Sequence, residues 1–288
     1  MNPVRGAFRP GVAALLVFVH LGALYGLWWC MTWGVTLIAV EWAVALYVVG
    51  LLGITVGYHR YATHGSFHCA SWVKYLFVVF GGGLAGQGTI EEWRRNHLQH
   101  HKHVDGDFDP HSPWQYQHLP YPFDRIAGFC WAHFIWLLFE TKRPDGYNPG
   151  LPAHDASAIA WQKKYYPHIV VAGFVLPFFF AGLPGLFLAG FVRLTAQYHV
   201  TWMVNSVCHM WGTRPVDAQG VVRKKDQSRN NLLVAIFGMG EGYHGNHHTQ
   251  QGAANLGYRW YHWDPGKWVI NILALLRQVR HVRRYRVA

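Results

Sequence analysis

The chain has 288 residues, 51% of them hydrophobic, and a net charge of +11 at pH 7, enough for one domain with a large core. The cations sit beside apolar blocks and in the tail (Arg277, Arg280, Arg283, Arg284, Arg286), a pattern that suits lipid headgroups and an acidic protein partner and excludes nucleic acid. The four cysteines, Cys30, Cys69, Cys130 and Cys208, form no Cys-x-x-Cys pair, which argues against disulfides, a thiolate zinc site and an iron–sulfur cluster.

The first apolar block, residues 12–29, follows Arg5 and Arg9 as a signal peptide would. It is long and has no small-residue cleavage site, so it reads as a retained span. A second block, residues 35–57, also approaches the ~20 residues that cross a hydrocarbon layer. Residues 72–89 are long enough on count but carry five glycines, which weaken a helix by about 1 kcal/mol each relative to Ala. A crossing there would put His59 and His64 on the opposite side from His97, His100 and His101, so a re-entrant or interfacial helix pair is expected. Residues 126–139, with His133, read as an interfacial amphipathic helix, and 105–123 and 141–152 as Pro/Gly-rich loops. Residues 166–181 and 186–207 make the third and fourth spans. The short links 30–34 and 182–185 hold no Lys or Arg, which places both termini and the histidines on the cytoplasmic side. Glu41 and Arg193 then fall at the far interface. The reading is one all-α integral membrane domain, residues 1–288. It has four transmembrane helices and a cytoplasmic helical cap (58–165 and 208–288) that holds a histidine-rich dimetal site. The short termini point to a bacterial cell membrane.

Of the 20 histidines, eight lie in three clusters: His59 with His64, His97 with His100 and His101, and His244 with His247 and His248. Neutral imidazole is the commonest side-chain ligand for borderline transition metals, and eight donors exceed what one ion uses, so two nearby ions are expected. His97, His100 and His101, at i, i+3 and i+4, share one helix face, and His244, His247 and His248 repeat the spacing. His59 and His64, five apart, lie about 140° from each other on an ideal helix, which suits ligands for two metals or a helix end between them.

The strings His59-Arg60-Tyr61-Ala62-Thr63-His64, Glu92-Trp93-Arg94-Arg95-Asn96-His97-Leu98-Gln99-His100-His101-Lys102 and Gly240-Glu241-Gly242-Tyr243-His244-Gly245-Asn246-His247-His248 closely resemble the three histidine boxes of the membrane fatty acyl desaturases, in particular the acyl-CoA delta-9 (stearoyl-CoA) type. Asp109-Pro110-His111, Gln162-Lys163-Lys164-Tyr165-Tyr166, Thr201-Trp202-Met203-Val204-Asn205-Ser206 with His209, and Gly212-Thr213-Arg214-Pro215 extend the likeness over roughly residues 57–260. The resemblance implies a four-span fold with a di-iron cap and a bent acyl tunnel. It implies His59, His64, His97, His100, His101, His209, His244, His247 and His248 as metal ligands, with Asn205 acting through a water. The spacing of Asn205 and His209, i and i+4, agrees with this. His111 and His133 are expected to orient ligands. Other histidines, His154 among them, are read as packing or surface residues.

An unactivated methylene has no acidic proton and no electrophilic carbon, so desaturation needs a metal, dioxygen and two electrons. The expected cofactors are two Fe ions, with Zn possible in a purified sample, and O2 as co-substrate. Thr201 and Trp202 are expected to line the acyl tunnel, Ile54 and Val56 to form the end that gauges chain length, Trp93 and Gln87 to touch the substrate, and Arg95 to meet a carrier phosphate. The family's Arg-Asp is Arg95-Asn96 here, and an Asn that meets the nucleotide in relatives is Gly88, beside Gln87. Coenzyme A, acyl carrier protein and an intact lipid therefore all stand as carriers. Electrons would come from a cytochrome b5, ferredoxin or flavoprotein reductase docked on Lys102, Arg125, Lys142, Arg143, Lys224 and Lys225. The rival readings are a di-iron hydroxylase on the same scaffold, a metal transporter and a redox-inert zinc protein.

Overall fold

The computed structural model describes residues 4–150, 155–215 and 225–284. His154, Lys224 and Arg286 lie outside the described residues. Helix α1 (Pro10–Trp33) has Pro at its first position, where no N–H is needed, and ends at Gly34 with φ 82°. Helix α2 (Leu37–Thr63) is capped by the Thr36 hydroxyl, which accepts from the Ala39 amide. From Gly53 to Thr63 it widens into π-type turns with i→i+5 bonding.

Glycines make the next contact possible. Helix α3 (Ser71–Leu84) packs against the widened part of α2 so closely that a Cβ on Gly53 would sit 2.1 Å from the Gly81 carbonyl carbon, and one on Gly57 2.5 Å from the Phe77 carbonyl oxygen. At fourteen residues α3 is too short to span, as the re-entrant reading requires. The chain then turns through Gly86 and Gly88, both at positive φ, into α4 (Ile90–His103). The Thr89 hydroxyl caps this helix, and Glu91 and Glu92 lie in its first turn, where the helix dipole favours anions. Helix α5 (Phe123–His133) ends at Phe134, short of the expected residue 139.

The third long apolar run, Ala156–Met210, holds 55 residues, about 80 Å of helix and more than twice a hydrocarbon layer. Gly182, at φ 62° and ψ −149°, kinks it near the end of α6 (Ala156–Pro184), ahead of α7 (residues 185–205); the two legs pack on each other and cover the segment 166–181 and all but the last two residues of 186–207, expected as the third and fourth spans. Among the described residues three helices are long and apolar enough to cross a membrane. Arg193 is buried in α7, where it donates to the Ala189, Leu84 and Gly173 carbonyls and to Gln197. Neutral acceptors on three packed elements take four of the five guanidinium N–H groups, so it clamps α3 to the two legs. A short helical turn, Val207–Met210, carries His209, and further on lie α8 (Leu232–Phe237), α9 (His244–Thr249) and α10 (Pro265–Leu275). The described residues are mostly helical, as expected, with two short antiparallel pairs beside the helices, β1 (Arg5–Phe8) with β3 (Phe139–Thr141) and β2 (His68–Cys69) with β4 (Val279–Arg280).

Candidate metal centre

All nine histidines converge. His59, His64, His97, His101 and His247 form one group and His100, His209, His244 and His248 a second, each with its ligand nitrogens within 4.8 Å of one another. The wide turns of α2 explain how His59 and His64 come to serve a single group. Bonding from i to i+5 stacks residues five apart, and the His64 amide donates to the His59 carbonyl at 3.1 Å. The helix ends at Thr63 with His64 as its C-cap, so of the two arrangements the spacing allowed it is the helix end between them that is found, and the two side chains fall in one group.

Nitrogen separations test whether the residues suit metal ions. In the first group Nε2 of His247 lies 3.0 Å from that of His59 and 2.8 Å from that of His101, while Nε2 of His97 lies 2.9 Å from that of His101 and 3.0 Å from that of His64. One imidazole nitrogen offers a single in-plane hydrogen or lone pair, so it cannot serve two such neighbours by hydrogen bonding. A shared cation can, since donors about 2.1 Å from an ion and at right angles lie about 3.0 Å apart. In the second group Nε2 of His248 is 3.0 Å from that of His244 and 3.2 Å from that of His100, and His244 is 3.1 Å from His209. Burial, with help from neighbouring imidazoles, holds His64, His97, His101, His244 and His247 well below the usual histidine range. They are neutral lone-pair donors, which is the protonation state a metal requires.

Four carboxylates face the other ring nitrogens, and sequence reasoning gave them no such role. His100 Nδ1 donates to Asp109 at 2.8 Å, His248 Nδ1 to Asp226 at 2.9 Å and His209 Nδ1 to Asp105 at 3.1 Å, while His59 Nδ1 lies 2.7 Å from Glu241. The three hydrogen bonds, at His100, His248 and His209, commit the proton to Nδ1 and leave Nε2 bare for a metal, whereas the His59–Glu241 contact is close but not aligned as a hydrogen bond. Burial pushes Asp109 up, but the neighbouring His100 outweighs it and holds the carboxyl well below the usual carboxylate range. Glu241 also accepts from the Thr55 hydroxyl. Asp109 and Glu241 stand inside the quoted strings; Asp105 follows the second string by three residues but its partner His209 is 104 residues away, and Asp226 lies in a loop 22 residues before His248.

His111 does sit beside the site, its ring 4.4 Å from that of His100. His133 does not orient a ligand: it bonds Ser206 and His199 instead.

A cavity of about 350 Å³ touches both groups through His97 and His244. Ile54, Gln87, Trp93, Thr201, Trp202 and Asn205 all line it, among apolar walls from α1, α2 and α7. Trp93 also stacks on His97 at 4.7 Å. Arg95 and Val56 are the exceptions: neither lies on the cavity wall, and Arg95 is 3.7 Å from Glu91. Of the expected docking cations, Arg143 turns inward to Gln99 and Asn96, and Lys102 lies over the Tyr147 ring.

The fatty acid desaturase family profile matches residues 40–270, most of the chain and every histidine above. The chain belongs to the fatty acid desaturase family. The sn-1 stearoyl-lipid 9-desaturase of Anabaena variabilis is 34% identical over 268 residues, 92% of this chain and 90% of the relative. Delta-9 acyl-lipid desaturase 1 of Arabidopsis thaliana is 32% identical over 243 residues, 83% and 73% of the two chains. Icosanoyl-CoA 5-desaturase of Limnanthes douglasii is 34% identical over 238 residues, 81% and 62%. Acyl-lipid and acyl-CoA desaturases thus stand at one level of identity to this desaturase, and identity alone does not separate its carrier.

Proposed function

We propose that this desaturase inserts a delta-9 double bond into a saturated acyl chain carried by a membrane lipid, using two iron ions. The observation that carries this reading is the apolar cavity bordered by one histidine of each metal-suited group, which would hold a methylene chain against both sites at once. His59, His64, His97, His101 and His247 would hold one iron and His100, His209, His244 and His248 the other, with Asn205 reaching the second through a water. When bound, the iron pair supplies the oxidising power that removes two hydrogens from an unactivated C–C unit, with O2, two electrons and two protons consumed and two waters formed.

The chain's own residues do the positioning. Ile54 and Trp202 bound the cavity that orients one C–C bond, and apolar walls exclude bulk water from it. Neutral imidazoles and their carboxylate partners keep the metal-facing lone pairs free. The lipid carrier is favoured by the match to an acyl-lipid 9-desaturase that runs over 92% of this chain and 90% of that relative. In this reading both termini are cytoplasmic, the legs of Ala156–Met210 cross the bilayer twice, and a separate cytochrome b5, ferredoxin or flavoprotein reductase donates electrons.

Expression in a desaturase-deficient host, with mass spectrometry of dimethyl disulfide adducts, tests the reading. Loss of two hydrogens with the new bond at carbon 9 is expected, and gain of one oxygen would replace it with a hydroxylase. Purified enzyme given labelled acyl-lipid and acyl-CoA in parallel should convert the former. Conversion of acyl-CoA alone would overturn the carrier assignment.

A further inference from the structure

We infer that α8, residues 260–263 and α10 form a lipid-contact surface that seats the metal-bearing part of the chain in the membrane interface. Helix α10 is amphipathic: Ile270 and Leu273 are buried, while Trp268, Ile272, Leu275 and Leu276, at i, i+4, i+7 and i+8, form one outward stripe, with Leu275 82% exposed. Leu232, Leu233 and Phe237 are exposed on α8. The two faces are one surface, because the Trp263 indole donates to the Ile236 carbonyl and packs its ring 4.9 Å from Trp268. Trp260, at 90% exposure, and Tyr261 extend it. A patch this apolar on a water-facing protein marks an interaction site.

Continuity names the occupant. Tyr47 lies within apolar helix α2, more than two turns before His59, and its hydroxyl donates to the Phe237 carbonyl at 3.0 Å. Helix α8 is therefore pinned alongside a helix whose outer face is itself lipid-suited. At the other end the Trp72 indole donates to Gln278 just past α10, joining the surface to the exposed Trp72 and Leu76 of α3. The chemistry agrees: Trp and Tyr favour the headgroup level, and the only carboxylate in 231–238, 260–276 and 71–84 is Asp264, which is buried. Arg259, Arg277 and Arg280 are exposed at its edges, placed for lipid phosphates.

The test uses the full chain in phospholipid nanodiscs containing anionic lipid, spin-labelled at Leu233→Cys, Leu275→Cys or the polar control Asp107→Cys, each compared with the unsubstituted chain taken through the same labelling. Labels at 233 and 275 should collide severalfold more with O2 than with a water-soluble nickel chelate, the reverse of the label at 107. Equal nickel access at all three sites would overturn the inference, as would dipolar broadening at 275, which would make the occupant a second copy. A phospholipid carrying a photoactivated carbene on its acyl chain gives a reading without substitution: it should modify Trp260, Leu275 and Leu276 in the native chain, and failure to do so would overturn the inference equally.

Discussion

Replacing Asp226 by Asn breaks one link of the centre while keeping its shape. Asp226 accepts from His248 Nδ1 at 2.9 Å and from the Ser228 amide at 2.9 Å. Against the upward push of burial, these contacts hold its carboxyl well below the usual carboxylate range, so it is ionised. Asn removes the charge and can turn its amide toward Nδ1, which leaves the imidazole proton on Nε2, the atom aimed at His100 and His244. Carboxylates that orient metal-bound histidines are worth about 10–100-fold in metal affinity, or about 1.4–2.7 kcal/mol. Asp226 is 7% exposed, so solvent takes little from that figure. Elemental analysis after dialysis against graded chelator should find one ion released at about 10–100-fold less chelator and the other unchanged. A variant that keeps both ions as tightly as the native chain, with an unchanged melting curve, would refute the tautomer argument. Release of both ions with a lowered melting temperature would make Asp226 a structural brace.

Gly53→Ala should lower stability by about 1–3 kcal/mol, because its Cβ would meet backbone that cannot rotate away; thermal melts and metal content read the effect together, since a displaced α2 moves His59 and His64. Ile54→Ala enlarges the cavity wall one turn before the first histidine and should shift the product profile to longer chains, read by chromatography of fatty acid esters. The metal-stripped chain should be acid-labile. Burial keeps His248 at about 4 and His64, His97, His101, His244 and His247 below the usual range, so the unfolded state binds more protons once the pH falls beneath the unperturbed histidine value of about 6.5. Stability is fully present above that pH and drains as pH falls toward 4, with His248 alone accounting for about 3 kcal/mol; melts from pH 7 to pH 4.5 check it, and a flat profile would count against neutral imidazoles.

Most of the metal centre was legible because its donors are rare residues at helical spacing. His97, His100 and His101 on α4 needed only the 3.6-residue period, and the apolar blocks needed only length. What escaped depended on departures from ideal geometry or on distant contacts. The π-type turns of Gly53–Thr63 carry no periodic signature, yet they decide which group His64 joins. Glycines in α3 looked like helix weaknesses; against α2 they are the surfaces of closest approach. Counting residues placed Arg193 but not its partners: the carbonyls that accept from it come from three elements no local window brings together. Asp105 and Asp226 are loop residues whose role exists only once the fold sets them behind His209 and His248.

Charge explains why those carboxylates are there. A neutral imidazole gathers a cation without neutralising it, and an unbalanced charge in a buried volume costs several kcal/mol. Among the described residues four carboxylates touch the donor histidines directly, Glu241, Asp109, Asp105 and Asp226, and their four negative charges match those of two divalent ions. Arg60 does not upset the balance, being paired with buried Asp264 at 2.8 Å and 3.8 Å from Glu241. The distribution is uneven: three carboxylates back the four-imidazole group and one backs the five-imidazole group. The four-imidazole group therefore holds its ion through field strength, the five-imidazole group through donor number. Ion attraction in a low-dielectric site outweighs one extra neutral donor, so stepwise chelation should empty the five-imidazole group first. His64→Ala should hasten that first loss and leave the second unchanged. Parallel release of both ions from the native chain would mean that field and donor number offset each other.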